Sequence, residues 1–426
     1  MHNRRNFIKL GGLAGFGLAG ANIMGFQQAQ ANTLSANTTN MSNNIGTGTS
    51  IIGDYGPWSA NLNSGKLPSL SFRNSKFKDV RSWQAQARKT VLKYMSVPDI
   101  GGMPKVTVEK QYTYDGLHIE ELSWQLPYGR ATKAILLKPE KSTGKLPGVL
   151  AFHCHGGNKY FGTEKITKTS DNINPLMKEH HANYYEGRAW ANELAKKGYV
   201  VLVPDAFTFA SRRVMLEDVP EVIREGLTDA DPQDSKKIDA YNKWASNHEH
   251  IMAKSLFSAG TTWPSVFYAE DKKALDILCS RTDVDASRIG CGGLSGGGIR
   301  TDYMAGLDSR IKCSVSVGFM TTWKDLILNK SYTHTWMTYV PQLPNDLEFA
   351  EILGMRAPSA TLVLNDEADT LFTLPEMKAA DNILKEVFEK AGAPEKYKCS
   401  FYPGPHKFDI KMQEEAFAWW DKWLKA

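Results

Sequence analysis

The sequence predicts an α/β protein with a mostly parallel, doubly wound sheet and an antiparallel N-terminal edge. Three observations predict this class. The segment 105–126 alternates apolar and polar residues around Asp115-Gly116, which is a hairpin signal. The run "LPGVLAFHCHGG" (146–157) is almost continuously apolar, as a strand buried on both faces requires. From there to the C-terminus, strand and helix patterns alternate.

The individual elements follow from period, length and Gly or Pro punctuation. A first helix is predicted over 77–95, ended by Pro98 and Gly101-Gly102, and a further strand over 131–139. After the apolar run, the predicted strands are 199–205, 288–294, 311–319, 360–366 and 396–404, and the predicted helices are 187–198, 270–281, 375–392 and 412–426. Three segments are too long for simple connections, and because all follow strands we expect them to form pocket walls or a lid: 158–186, 206–264 and 320–358.

The N-terminus has the pattern of an export signal. Arg4-Arg5 precede a Gly-rich apolar run over 10–26, and Ala29-Gln30-Ala31 is a small-x-small cleavage site, so we predict a signal over 1–31. The order Arg-Arg-x-Phe-Ile-Lys resembles the twin-arginine signal, which implies a bacterial protein passed folded through the twin-arginine machinery to the periplasm or beyond. A membrane anchor is the alternative, but the run is short and broken by Asn22, so we expect no stable membrane insertion after cleavage.

The rest of the chain divides by composition. Residues 32–53 are rich in Asn, Ser, Thr and Gly and predict a disordered linker, followed by an N-terminal helical extension (54–103) and the main domain (104–426). The 51 Lys plus Arg and 46 Asp plus Glu residues are interspersed, so a nucleic-acid partner is not expected. The five cysteines have no C-x-x-C spacing and read as buried thiols, with Cys291 and Cys313 as the pair best placed to bridge.

The glycine-rich stretch "SRIGCGGLSGGGIR" (287–300) fits neither a dinucleotide fingerprint nor a Walker loop, which needs a Lys that is absent here. It does contain G-x-S-x-G between a strand and a helix, with Ser295 flanked by Gly293 and Gly297. A sharp turn at the serine leaves no room for a Cβ two residues away on either side. We therefore predict Ser295 as a nucleophile and the N–H of Gly296 as an oxyanion donor.

A serine hydroxyl needs a base, and two histidines follow Ser295 in the sequence. His406 comes directly after a strand, which can hold it in place, whereas His334 lies inside a long insertion; we choose His406 and keep His334 as the alternative. The orienting acid is expected just past the strand 360–366. We choose Asp369, which leaves room for a turn, with Asp366 as the alternative.

The loop after the run 146–157 is the expected source of a second oxyanion donor. It contains His155-Gly156-Gly157, so the N–H of Gly157 or of Asn158 is the candidate. A metal site built on His153 and His155 is the alternative, for which His-Glu-His at 248–250 is the other cluster of this type; we expect no metal and no cofactor.

From about Pro104 onward these motifs resemble the α/β-hydrolase superfamily. The phrases "FHCHGGNKYFG", "DVDASRIGCGGLSGGG", "LVLNDEADTLF" and "GPHKF" are similar to its dienelactone-hydrolase-like and acetylxylan-esterase-like branch. The resemblance implies an acyl-enzyme on Ser295 with His406 and Asp369 as proton carrier and orienting acid. Dienelactone hydrolases carry Cys at the nucleophile position, and glucuronoyl esterases carry Arg where Gly296 stands, so the chain departs from both.

The substrate is the least determined part of the prediction. We expect an exported serine esterase that cleaves acetyl or other small acyl esters, on carbohydrate or on small molecules. Peptide or amide hydrolysis by the same triad, and an inactive binding protein with this fold, are the alternatives. Three residues in or beside the insertions are candidate substrate contacts: Arg212, Trp263 and Trp323.

Overall fold

The computed structural model describes residues 50–62 and 67–425 of the chain. The described residues fall into two units with the boundary between Pro57 and Trp58, and apart from helix α1 (Tyr55–Asn61) the account below concerns the second. The predicted signal (1–31) and most of the predicted linker (32–53) lie outside the described residues. Within the part that is described, no helix combines the length and the apolar character needed to cross a membrane.

In the described residues, nine strands form one sheet in the order β1-β2-β3-β5-β4-β6-β7-β8-β9. The pairs β1–β2, β2–β3 and β3–β5 are antiparallel, and all other neighbours are parallel, as the sequence predicts. The strands are β1 (Val106–Tyr114), β2 (Leu117–Trp124), β3 (Thr132–Pro139), β4 (Leu146–Phe152), β5 (Val200–Pro204), β6 (Val284–Leu294), β7 (Ile311–Val317), β8 (Ala360–Asp366) and β9 (Tyr397–Tyr402).

The described residues also form helices. They are α1 (Tyr55–Asn61), α2 (Val80–Met95), α3 (Pro175–Tyr185), α4 (Trp190–Lys196), α5 (Glu221–Arg224), α6 (Ser235–Ser258), α7 (Trp263–Ser280), α8 (Gly296–Leu307), α9 (Trp323–Asp325), α10 (Leu343–Asp346), α11 (Phe349–Gly354), α12 (Leu374–Lys390) and α13 (Ile410–Leu424).

The predicted hairpin forms at its signal. Asp115 and Gly116 both adopt left-handed backbone, with φ of 52° and 76°, and Tyr114 pairs with Leu117 across the turn. Positive φ at both central residues matches the twist of the flanking strands, and Gly tolerates it without steric cost. The Asp-Gly dipeptide therefore sets the register of β1 against β2.

Apolar side chains on the two faces of the sheet form two separate cores. One includes Leu275 of α7 and Met304 of α8, and the other includes Trp190 of α4 and Trp420 of α13. Cys291 belongs to the first core and Cys313 to the second, because Cys313 pairs in register with Gly290 and neighbouring residues of a strand face opposite ways. These two thiols therefore do not form the bridge that the sequence left open, and all five cysteines are free, as predicted.

The insertions contain more helix than the sequence analysis expected. The 24-residue helix α6 lies inside the segment 206–264, and α7 begins seven residues before the predicted start at 270. The buried stripe of α6 includes the polar side chains Asn242 and Glu249, which interrupt the apolar period that identifies a helix. By contrast, α2 matches the helix predicted over 77–95 within three residues.

Candidate active site

Ser295 stands on a strained turn between β6 and α8. Its backbone has φ 59° and ψ −115°, and its N–H donates to the carbonyl of Val317 on β7 at 2.8 Å. A Cβ at Gly293 or Gly297 would lie 2.3 or 2.4 Å from the carbonyl oxygen of Phe152, the last residue of β4. Both glycines are thus required by close approach to β4, and the sequence prediction of steric need at these positions is confirmed.

His406 and Asp369 are brought together by the loops after β9 and β8. Nδ1 of His406 lies 2.6 Å from Oδ2 of Asp369, whose other oxygen accepts the N–H of Leu371 at 2.8 Å. A carboxylate only accepts, so the imidazole proton resides on Nδ1 and Nε2 carries a lone pair. Nε2 is buried and finds no hydrogen-bond partner among the described residues, and His406 lines the same cavity as Ser295.

The electrostatics of His406 reflect two opposing effects. Burial lowers the pKa of the imidazole, but the carboxylate of Asp369 and the nearby Asp366 together outweigh it, so the pKa is raised above its ordinary value. The imidazolium formed during a proton transfer is therefore stabilised where it arises.

The two alternative residues occupy other positions. Asp366, the last residue of β8, accepts the N–H of Lys407 at 3.0 Å, and burial raises the pKa of its carboxyl to about 7. His334 lies in the cavity wall, where its Nε2 donates to the carbonyl of Leu371 at 2.9 Å and burial lowers its pKa to about 4. The hydrogen bond that joins an acid to a base thus runs between Asp369 and His406.

The loop after β4, residues 153–158 (the oxyanion loop), folds differently from expectation. The N–H of Gly157 donates to Nδ1 of His155 at 3.0 Å, and the N–H of Asn158 donates to the carbonyl of His155 at 3.1 Å. Both predicted donors are thus engaged within the loop. The backbone nitrogen of His155 lies 3.0 Å from where a Cβ on Gly296 would stand, so these two amides are neighbours.

Charged side chains buried behind the oxyanion loop were not identified from the sequence. Nε2 of His155 lies 2.9 Å from Oε1 of Glu249 on α6, and Nζ of Lys159 lies 2.8 Å from the same oxygen. Nζ of Lys165 donates to the carbonyls of Cys154 and His155 at 3.0 and 2.9 Å. The sequence signal that could have pointed to Glu249 is His-Glu-His at 248–250, which the sequence analysis considers only as a metal site. No group of three or more potential metal ligands occurs in the described residues.

The cavity in front of Ser295 has a volume of about 250 Å³. Insertion 320–358 supplies one wall, and insertion 158–186 contributes Tyr184, so both serve the expected role of pocket walls. Insertion 206–264 backs the oxyanion loop through Glu249 instead of lining the cavity. The wall residues from 320–358 are Thr333, His334, Thr335, Met337 and Thr338.

The three candidate substrate contacts lie elsewhere. Arg212 is buried in an ion pair with Glu270, 2.6 Å away. Trp263 is 1% exposed, and Trp323 is buried with its indole N–H bonded to the carbonyl of Leu347. None of the three is among the residues that line the cavity. Their position in or beside an insertion did not reveal this, because an indole or a paired guanidinium there can be buried as readily as it can be exposed to a cavity.

The sheet order, the turn at Ser295 and the placement of the acid and histidine after later strands define an α/β-hydrolase fold. No protein-family model matches the sequence. A curated protein of Bacillus subtilis (strain 168), named "Putative hydrolase YtaP", is 25% identical over 343 residues, which cover 80% of this chain and 100% of that protein.

Solved structures share the fold at low identity. A "putative acetyl xylan esterase" of Bacteroides fragilis NCTC 9343 superposes with a TM-score of 0.59 at 15% identity, covering 81% of each chain. A glucuronoyl esterase of Solibacter usitatus has a TM-score of 0.56 at 14% identity, covering 84% of this chain and 98% of that one. At these identities the likeness establishes the fold.

Proposed function

We propose that this chain is a serine hydrolase of carboxylic esters that works through an acyl-enzyme. The observation that carries the proposal is the hydrogen-bonded pair of His406 and Asp369. Nε2 of His406 has no hydrogen-bond partner in the described part of the chain, and His406 lines the same cavity as Ser295 on its strained turn. A nucleophile, a base and an orienting acid in this chain order are what acyl transfer requires.

In the first half of the reaction, Oγ of Ser295 attacks the ester carbonyl carbon while its proton passes to Nε2 of His406. The tetrahedral oxyanion accepts hydrogen bonds from the N–H groups of Gly296 and His155, the second of which replaces Gly157 as donor. The carbon–oxygen bond to the alcohol then breaks, and the alcohol oxygen takes the proton from His406. The acyl group stays on Ser295.

In the second half, water attacks the acyl carbon and gives a proton to Nε2 of His406. The bond from the carbon to Oγ of Ser295 breaks, Oγ recovers its proton from the imidazolium, and the carboxylic acid leaves. Asp369 holds the tautomer of His406 throughout and stabilises its positive charge.

For the substrate, we propose an acetyl or other small acyl ester without charge near the scissile bond. The cavity is small, and the described residues that line it include no Lys, Arg, Asp or Glu. The name of one fold neighbour, an acetyl xylan esterase, supports an alcohol portion that is a carbohydrate. The twin-arginine pattern of residues 4–9 supports export to the periplasm or beyond.

The test is Ser295→Ala. We expect loss of p-nitrophenyl acetate hydrolysis and of labelling by a fluorophosphonate, and residual labelling of the variant would exclude this nucleophile. Parallel rates on acetyl esters and aminoacyl amides separate an esterase from an amidase, and acetylated xylans, uronate methyl esters and aryl esters separate the substrate classes. A wild-type protein that hydrolyses none of them and resists the label would favour the binding-protein alternative.

A further inference from the structure

The imidazole of His155 connects the oxyanion loop to the inserted helix α6. Its Nδ1 accepts the N–H of Gly157 at 3.0 Å, and its Nε2 lies 2.9 Å from Oε1 of Glu249. We propose that His155 and Glu249 are positioning residues, through which α6 holds the backbone N–H of His155 in place for the oxyanion. This inference rests on the proposed function, because it assigns a role in the same reaction.

The two hydrogen bonds fix one chemical form of His155. Glu249 can only accept when ionised, so Nε2 carries the proton, and the N–H of Gly157 can only donate, so Nδ1 carries the lone pair. Both conditions hold only for the neutral imidazole protonated at Nε2. In an imidazolium, Nδ1 would also carry a proton, so it could not accept the N–H of Gly157 and the hydrogen bond that holds the turn would be lost.

The charges around this imidazole maintain that form. Burial lowers the pKa of His155, and this outweighs the opposing effect of Glu249, while Lys159 and Lys165 lower it further. Burial raises the pKa of Glu249, but Lys159 and His155 outweigh it and bring it to about 2, so the carboxylate stays ionised. Nζ of Lys159, 2.8 Å from Oε1, balances its charge in the interior.

The loop is held from a second direction as well. Lys165, which is fully buried, donates to the carbonyls of Cys154 and His155 at 3.0 and 2.9 Å. The carbonyl of Cys154 belongs to the same peptide unit as the N–H of His155, so its bond from Lys165 fixes the orientation of that unit, while the imidazole of His155 is tied to α6. An oxyanion donor contributes most when it is oriented before the charge develops, so a loosened loop is expected to lower kcat and leave KM nearly unchanged.

A matched pair of substitutions isolates the bond from Glu249 to His155. Glu249→Gln and Glu249→Met both remove the charge beside Lys159 and have similar volume, but only the glutamine retains an oxygen that accepts from His155. We expect kcat of Glu249→Met to lie about tenfold or more below that of Glu249→Gln, with KM of the two within about threefold. Fluorophosphonate labelling should slow in parallel. Equal kcat values in the two folded variants would overturn the inference.

A double-mutant cycle with Glu249→Ala, which also lacks an acceptor, covers the case in which Glu249→Met fails to fold at the assay temperature. If Glu249 acts through His155, then once His155→Ala has removed the imidazole, the further change Glu249→Ala should alter kcat by less than about twofold. Additive losses would overturn the inference. In either design Ser295→Ala distinguishes failure of the proposed function from failure of the positioning role. Activity that survives Ser295→Ala refutes the proposed nucleophile. If activity depends on Ser295 but the Glu249 comparison fails, only the positioning role is refuted.

Discussion

The carboxylate of Asp369 and the imidazole of His406, 37 residues apart in sequence, are joined by a 2.6 Å hydrogen bond between Oδ2 and Nδ1. Asp369, in the turn after β8, also accepts the N–H of Leu371. Asp366, the last residue of β8, accepts the backbone N–H of Lys407 instead. The choice between two nearby carboxylates is thus made by the turn after β8, and it can be tested directly.

Asp369→Asn should lower kcat far more than Asp366→Asn. An amide at 369 can donate to Nδ1 and favour the wrong tautomer, which in a serine triad costs on the order of 10³- to 10⁴-fold in kcat. Asp366 does not bond to His406, and we expect Asp366→Asn to cost less than about tenfold. Steady-state kinetics on p-nitrophenyl acetate would measure both, and a larger loss in Asp366→Asn would reassign the acid.

The pH dependence of kcat/KM should show an acid limb set by His406. The base is active with Nε2 unprotonated, so activity falls as the pH drops through its pKa, which is raised above the ordinary 6.5. Asp366 is one of the charges that raise it, so the limb should move to lower pH in Asp366→Asn. A limb that stays in place or moves upward would contradict this electrostatic account.

The two histidines that follow Ser295 should differ sharply on substitution. His406→Gln removes the base and should lower kcat by about 10³-fold or more. His334→Gln keeps a donor for the carbonyl of Leu371 and removes no proton carrier, so we expect kcat to change by less than about tenfold. Single-turnover acylation rates would compare the two, and the reverse ranking would make His334 the base.

The glycines two residues before and after Ser295 allow a steric test. In Gly297→Ala the new methyl would lie 2.4 Å from the carbonyl oxygen of Phe152, so the turn must shift, and we expect at least about tenfold loss of kcat together with a lower Tm. Gly102→Ala is the matched control, since its methyl would meet no atom within 4 Å. Thermal melting and fluorophosphonate labelling of both variants would measure the effect, and equal behaviour would argue against the close approach.

Two exposed aromatics border the wall segment that lines the cavity. Tyr332 is 72% exposed and Trp336 is 40% exposed, within the same stretch as Thr333, His334 and Thr335. Aromatic faces pack against sugar rings, so if the alcohol portion is a polysaccharide, Trp336→Ala should raise KM for acetylated xylan by about threefold or more relative to p-nitrophenyl acetate. If KM changes by the same factor for both substrates, Trp336 does not contact the sugar.

The strand and helix pattern, the hairpin at Asp115-Gly116 and the turn at Ser295 were all predictable from the sequence, because each depends on local period or on a glycine whose conformation is locally required. The helix α6 was missed because its buried stripe carries Glu249 for a contact with a loop about 90 residues earlier. Gly157 is not a free donor, because its N–H bonds to Nδ1 of His155 while the other ring nitrogen of His155 bonds to Glu249.

By itself the sequence determined the class of fold and a short set of candidate residues. Apolar period and glycine spacing depend on residues that are close in sequence, so they can be recognised from the sequence alone. Only the tertiary structure decided that Asp369 rather than Asp366 meets His406, that Cys291 and Cys313 face opposite cores, and that Arg212, Trp263 and Trp323 are buried away from the cavity. Each of these depends on the direction of a side chain relative to residues far away in sequence, which loop geometry and packing fix and local pattern does not.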